Sequence, residues 1–154
     1  MLSEGDNAPD VTVQDAEGAS SKLLDQVKPP IVLYFYPKDD TTGCTREALD
    51  FTALADDFAA AGVSVVGISK DTPKKHASFI KKHGLKVGLV TDTDGSACEA
   101  YGTWIEKSLY GRKYMGIERA TFLIGPDRRI ARIWHKVKVA GHAEEVLAAA
   151  RALK

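Results

Sequence analysis

Cysteine is scarce in this chain: its 154 residues include two, Cys44 and Cys98. Two thiols cannot build a disulfide framework, so the fold must rest on an apolar core. There is no C-x-x-C pair. Glu47 stands where the second cysteine would follow Cys44, which disfavours a thioredoxin-type disulfide exchanger. An excess of one charge is also lacking, with 21 basic against 21 acidic residues. A nucleic-acid or anionic-membrane partner would need a basic excess or patch, so neither is expected. No apolar run approaches the length of a membrane span. The opening Met1–Asp6 has no basic segment followed by an apolar one, so a cytoplasmic protein is expected. In that reducing compartment a Cys44–Cys98 disulfide would be transient and catalytic if it formed. His76, His83, His135 and His142 show no metal-ligand spacing with one another or with the cysteines. They are expected at the surface or in local hydrogen bonds, and no metal is expected. Asp92-x-Asp94-Gly95 starts like a calcium loop, but Thr103 occupies the twelfth position where glutamate would close it, so a turn is expected.

With 44% apolar residues the chain can bury a proper core, and one domain over residues 1–154 is expected. Val11–Gln14 alternates like an edge strand before a turn at Asp15–Gly18. Ile31–Tyr36 is nearly all apolar, as in a strand buried on both faces. Ala48, Phe51, Ala55, Phe58 and Ala59 recur at helical spacing between Cys44 and Ala61, and Gly62 suits the position after the helix end. A strand is expected over Val63–Ile68, and Thr72-Pro73 reads as a cap and first-turn proline of a helix running to Gly84. Its lysines, among them Lys74, Lys75, Lys81 and Lys82, suit a solvated face. A short strand at Leu89–Thr91, a short helix through Tyr101, a hairpin over Ala120–Ile124 and Ile130–Trp134, and a helix from Gly141 to Leu153 complete the pattern. The stretch Trp104–Tyr114, with aromatics and glycine, reads as a flap or an interface. Early parallel crossovers followed by antiparallel strands imply an α/β fold, a mixed sheet flanked by helices on both faces, which suits a thioredoxin-like architecture.

The chemistry concentrates at Cys44. It stands where a polar turn after the apolar strand opens an amphipathic helix. Unpaired N–H groups and the positive end of the helix dipole favour a thiolate there. This setting suits a nucleophile better than an inert core thiol.

The segment Pro37-x-x-x-Thr41-x-x-Cys44 resembles the peroxidatic motif of peroxiredoxins. Its surroundings, Tyr-Phe-Tyr-Pro-Lys-Asp-x-Thr-x-Gly-Cys-Thr, are similar to the bacterioferritin comigratory protein, or peroxiredoxin Q, subfamily. Two downstream blocks agree: Cys98-Glu99-x-Tyr101-Gly102-x-Trp104, and Lys107-Ser108-x-Tyr110-Gly111 continuing to Gly116-Ile117-Glu118-Arg119-x-Thr121-Phe122. The resemblance spans essentially the whole chain. It implies a thioredoxin-like fold with an N-terminal β-hairpin extension, a peroxidase using no cofactor, and peroxide substrates. Cys44 would be the nucleophile, with Thr41 placing a hydroxyl near the sulfur. Arg119 would bring a cation and Pro37 would shield the site. The N–H groups of Gly43 and Cys44 would serve as oxyanion donors, and Glu47 would support by hydrogen bonding.

Some relatives carry a resolving cysteine five residues after the nucleophile, where this chain has Leu49. Others carry it in the following helix, about where this chain has Ile80. Thr42 also replaces a proline common in the turn. Cys98 is left either as a small buried hydrophobe or as a resolving thiol in an atypical two-cysteine mechanism. The leading expectation is a one-cysteine enzyme, a monomer, reduced by thioredoxin or by glutaredoxin with glutathione. A non-enzymatic redox sensor or chaperone-like protein is the other alternative.

Overall fold

A computed structural model describes residues 1–153. The chain runs β1 (Thr12–Gln14), β2 (Ser20–Lys22), α1 (Leu23–Gln26), β3 (Ile31–Phe35), α2 (Thr42–Ala53), α3 (Ala55–Ala60), β4 (Ser64–Ser69) and α4 (Pro73–His83). It continues through β5 (Gly88–Thr91), α5 (Ser96–Ala100), β6 (Trp104–Leu109), β7 (Arg112–Ile117), β8 (Ala120–Ile124), β9 (Ile130–Trp134) and α6 (His142–Arg151).

Seven strands form one mixed sheet in the order β2-β1-β5-β4-β3-β8-β9. β3, β4 and β5 are parallel, linked by helical crossovers, while β8 runs antiparallel to β3. All five residues of β3 are buried, as its apolar run requires. Side-chain alternation divides them between two cores. Val32, Tyr34 and then Tyr36 join Phe51 of α2, Phe79 of α4 and Val146 of α6 on one face. Ile31, Leu33 and Phe35 join Leu23 of α1 and Cys98 of α5 on the other. The N-terminal hairpin is present, with β1 and β2 antiparallel at the sheet edge beside β5.

Two features depart from the sequence reading. The helix expected over Cys44–Ala61 is broken at Leu54, whose N–H closes a tighter turn onto the Phe51 carbonyl at 3.1 Å. No proline or glycine marks the break, which lets Phe51 and Phe58 meet at 5.9 Å in the core. The stretch read as a flap or interface is a separate two-stranded hairpin, β6 with β7. Tyr110 and Gly111 turn it with φ of 51° and 78°, the left-handed pair of a tight hairpin turn. The α4 signals hold: the Thr72 hydroxyl accepts from Lys75 N–H at 3.2 Å, and Gly84 ends the helix at φ 61°.

Candidate active site

Cys44 lies in the first turn of α2, just beyond the end of β3. The first α-helical hydrogen bond at this end runs from Thr45 N–H to the Thr41 carbonyl at 2.8 Å, so the N–H groups of Thr42, Gly43 and Cys44 have no partner one turn back. The thiol is 2% exposed, packed with Tyr34, Tyr36 and Ala48.

Arg119, seventy-five residues away in sequence, reaches this sulfur. β8 pairs with β3 so that Ala120 lies opposite Phe35, which brings the preceding Arg119 to the mouth of the α2 turn. Its backbone is pinned there: its carbonyl accepts from Val137 N–H at 2.9 Å, and the neighbouring Glu118 carboxylate accepts from His135 Nδ1 at 2.7 Å. Nη2 donates to Cys44 Sγ at 3.3 Å and Nη1 to Glu47 Oε1 at 2.7 Å. A side chain on Gly43 would stand 3.2 Å from Nη2, so the glycine leaves room for this approach.

Glu47 is 1% exposed, and its second oxygen has no partner among the described residues. Burial pushes its carboxyl up from the ordinary 4.5 to about 7, with Arg119 pulling against the shift. Burial works against the Arg119 charge, but Glu47 and Cys44 beside it outweigh that and hold it more firmly protonated. Between pH 4.5 and about 7 the folded chain keeps a Glu47 proton that the unfolded chain has lost. The Glu47 contribution to stability therefore falls as pH rises through that window. Glu47→Gln is expected to remove this part of the pH slope, so its urea midpoints at about pH 5 and about pH 7 should lie closer together than those of the wild type. An unchanged spacing would dismiss the buried carboxyl as its source.

The other site candidates lie as follows. Thr41 is exposed, and its hydroxyl donates to the Lys38 carbonyl at 2.8 Å rather than to the sulfur. Pro37 is exposed too, while the sulfur lies beside Arg119 and in the same core as Tyr34 and Tyr36. Cys98 is fully buried in the core on the opposite face of the sheet from Cys44. Burial, then the Asp92 carboxylate, push its thiol up to about 12. Asp92 also accepts from Ala97 N–H at 3.0 Å and Cys98 N–H at 2.9 Å, so the expected turn is a built helix start. His76 and His142 are buried rather than at the surface, both hydrogen-bonded.

Sequence reasoning assigned no role to Lys107, half-buried on β6. Burial and Arg119 pull its ammonium below the usual lysine range, against Cys44 and Glu118. The signal available was its position in the downstream block that ends at Arg119.

The model of the AhpC/TSA family matches residues 4–133 of the chain. The chain belongs to that family. It is a peroxiredoxin, a thiol-dependent peroxidase, of the bacterioferritin comigratory protein and peroxiredoxin Q kind. A putative peroxiredoxin of Coxiella burnetii is 47% identical over 143 residues, covering 93% of this chain and 95% of that protein. The peroxiredoxin Bcp of Bacillus subtilis is 43% identical, covering 93% and 91%. A solved structure of the Xanthomonas campestris bacterioferritin comigratory protein, studied for that protein's alkyl peroxide reduction, superposes with a TM-score of 0.85. It is 43% identical and the match covers 92% of this chain and 90% of that one. This peroxiredoxin thus has the thioredoxin-like fold expected for it. Among its described residues no helix is long and apolar enough to cross a membrane.

Proposed function

We propose that Cys44 is the peroxidatic sulfur of a one-cysteine enzyme that reduces hydrogen peroxide and organic hydroperoxides. The observation that carries this reading is the Arg119 Nη2–Cys44 Sγ contact of 3.3 Å at an open helix start. The thiolate attacks the terminal peroxide oxygen, an S–O bond forms and the O–O bond breaks. Sulfur leaves as sulfenic acid, and the other oxygen departs as hydroxide or alkoxide and takes up a proton to become water or alcohol. The Arg119 cation and the free N–H groups of Gly43 and Cys44 are aimed at the charge that moves onto oxygen. Thr41 joins them by turning its hydroxyl from the Lys38 carbonyl toward bound peroxide. Pro37 contributes a turn without an N–H, and Glu47 orients Arg119.

The sulfenic acid is returned by outside thiols. The first releases water and forms a mixed disulfide, and the second displaces Cys44 as a thiolate. Thioredoxin, or glutaredoxin with glutathione, supplies them, and the chain works as a cytoplasmic monomer. Two features support a single cysteine over a resolving Cys98. The sheet stands between the two sulfurs, and a thiol held near 12 is almost wholly protonated at neutral pH.

The test is an intact mass under non-reducing conditions after one equivalent of hydrogen peroxide and a thiol-blocking quench in denaturant, which exposes Cys98 to the blocking reagent. Gain of one oxygen on Cys44, with Cys98 still blockable, is the expected result. Loss of two hydrogens with both thiols protected would replace it by the two-cysteine mechanism. One-shot oxidation without recovery by thioredoxin or by glutathione with glutaredoxin would favour a sensor. Cys98→Ala is expected to leave peroxide turnover within about twofold of wild type and to cost roughly 1 kcal/mol in urea unfolding, as a small core truncation does. Loss of turnover would return Cys98 to the mechanism.

A further inference from the structure

Beyond Tyr36, which is buried in the core, the turn between β3 and α2 has little apolar burial to hold it. Pro37, Lys38, Asp40, Thr41 and Thr42 are all exposed. From Pro37 to Thr42 only the Asp39 side chain is buried, and it meets His76 of α4, which is fully buried. His76 Nδ1 lies 2.7 Å from Asp39 Oδ2, and Nε2 lies 3.0 Å from the Val90 carbonyl. A carbonyl only accepts, so Nε2 carries a hydrogen. Nδ1 also lies 3.3 Å from the Tyr36 hydroxyl. Tyr36 closes the network, its hydroxyl donating to Asp39 Oδ1 at 2.5 Å. The Asp39 N–H donates to Asp71 Oδ2 at 2.8 Å, and that oxygen also accepts from the Ser69 hydroxyl at 2.7 Å.

We propose that Asp39 and His76 are positioning residues for the peroxide step, setting where the turn places Cys44 relative to Arg119. The proposal rests on reading Cys44 as the peroxidatic sulfur. α4 holds the turn from the β4 side of β3, and Arg119 reaches the sulfur from the β8 side. A shift of the turn therefore changes the Nη2–Sγ distance of 3.3 Å directly. The clearance is small, since a Cβ on Gly43 would stand only 3.2 Å from Nη2. The second tie to α4 joins Asp40 to Lys82 at 2.6 Å and to His83 at 2.8 Å, but Asp40 and Lys82 are solvent-exposed and such pairs hold weakly. Positioning falls to the buried pair. Misplacing a reacting group by about 1 Å costs up to about a hundredfold in rate.

The experiment measures two second-order rates on Cys44: oxidation by hydrogen peroxide and alkylation by iodoacetamide. Asp39→Asn and His76→Gln are each expected to slow oxidation by about 10–100-fold while speeding alkylation, the latter read at its high-pH plateau where only exposure of the sulfur sets the rate, because a loosened turn exposes a sulfur that has lost its alignment. Tyr36→Phe removes one hydroxyl, keeps the ring, and should move both rates the same way by a smaller factor. Leu147→Ala in α6, buried in the same core but away from the turn, is the control. It should lower the urea midpoint without opposed changes in the two rates. Opposed changes in the folded pair variants support the proposal. If neither folds, Tyr36→Phe alone decides. Oxidation within twofold of wild type in Tyr36→Phe and in every folded pair variant would overturn it, as would the same opposed changes in Leu147→Ala. A wild-type chain not oxidised at Cys44 would instead overturn the reading of the nucleophile.

Discussion

Cys44→Ser is expected to abolish peroxide turnover, with a fall of at least about a thousandfold. The reason is chemical before it is structural. Serine keeps nearly the shape of cysteine and can still accept from Arg119 Nη2, so the helix start and the core around Tyr34 and Tyr36 should persist. A hydroxyl, however, stays protonated beside Arg119 and has no accessible oxidation state equivalent to sulfenic acid. Cys98 cannot substitute, since it lies in the opposite core with its thiol pushed up to about 12. Hydrogen peroxide consumption with excess dithiothreitol, alongside a far-UV spectrum to show the fold intact, measures this. Activity surviving in a folded Cys44→Ser chain would remove Cys44 from the chemistry altogether.

Arg119→Ala is expected to slow Cys44 oxidation by about 100–1000-fold, the scale for losing one preorganised donor at developing charge. It should also destabilise the chain, because the forked guanidinium serves two partners. With Arg119 gone, Glu47 Oε1 loses its 2.7 Å partner, and its other oxygen already has none among the described residues. Glu47 then protonates rather than staying buried and ionised, which limits the loss to roughly 1–3 kcal/mol. Arg119→Lys keeps a charge but cannot bridge both partners, so it should fall between. The double variant Arg119→Ala with Glu47→Gln separates the two effects: stability should recover while the rate does not. Stopped-flow oxidation and urea unfolding read each quantity. An unchanged oxidation rate in Arg119→Ala would take this residue out of the site.

Cys44 is legible in the sequence as the candidate nucleophile because its neighbours share a local signal. The Ile31–Tyr36 run, the polar turn and the amphipathic spacing after Cys44 all act within about twenty residues. The same locality made β4, α4, β8, β9 and α6 legible, since period, caps and turn residues are nearest-neighbour properties. The β6–β7 hairpin was missed because its turn is Tyr110-Gly111, not a standard glycine–asparagine pair, and its strands are largely exposed and lack clean alternation. The break at Leu54 has no local marker either.

On its own, the sequence determined that this chain bears one helix-start cysteine in a run resembling the peroxidatic motif, an arginine in a downstream block of the same resemblance, and no second cysteine at Leu49 or Ile80. Tertiary structure decided which of these groups meet. Antiparallel pairing of β8 with β3 carries Arg119 to the sulfur, and the packing of α5 on the face of the sheet opposite α2 puts Cys98 behind the sheet. It also decided that Thr41 is turned to the Lys38 carbonyl, and that Asp39 finds His76 thirty-seven residues away. Hydrogen bonds and buried ion pairs act within about 3 Å, whereas sequence separation says nothing of distance until the strands have paired.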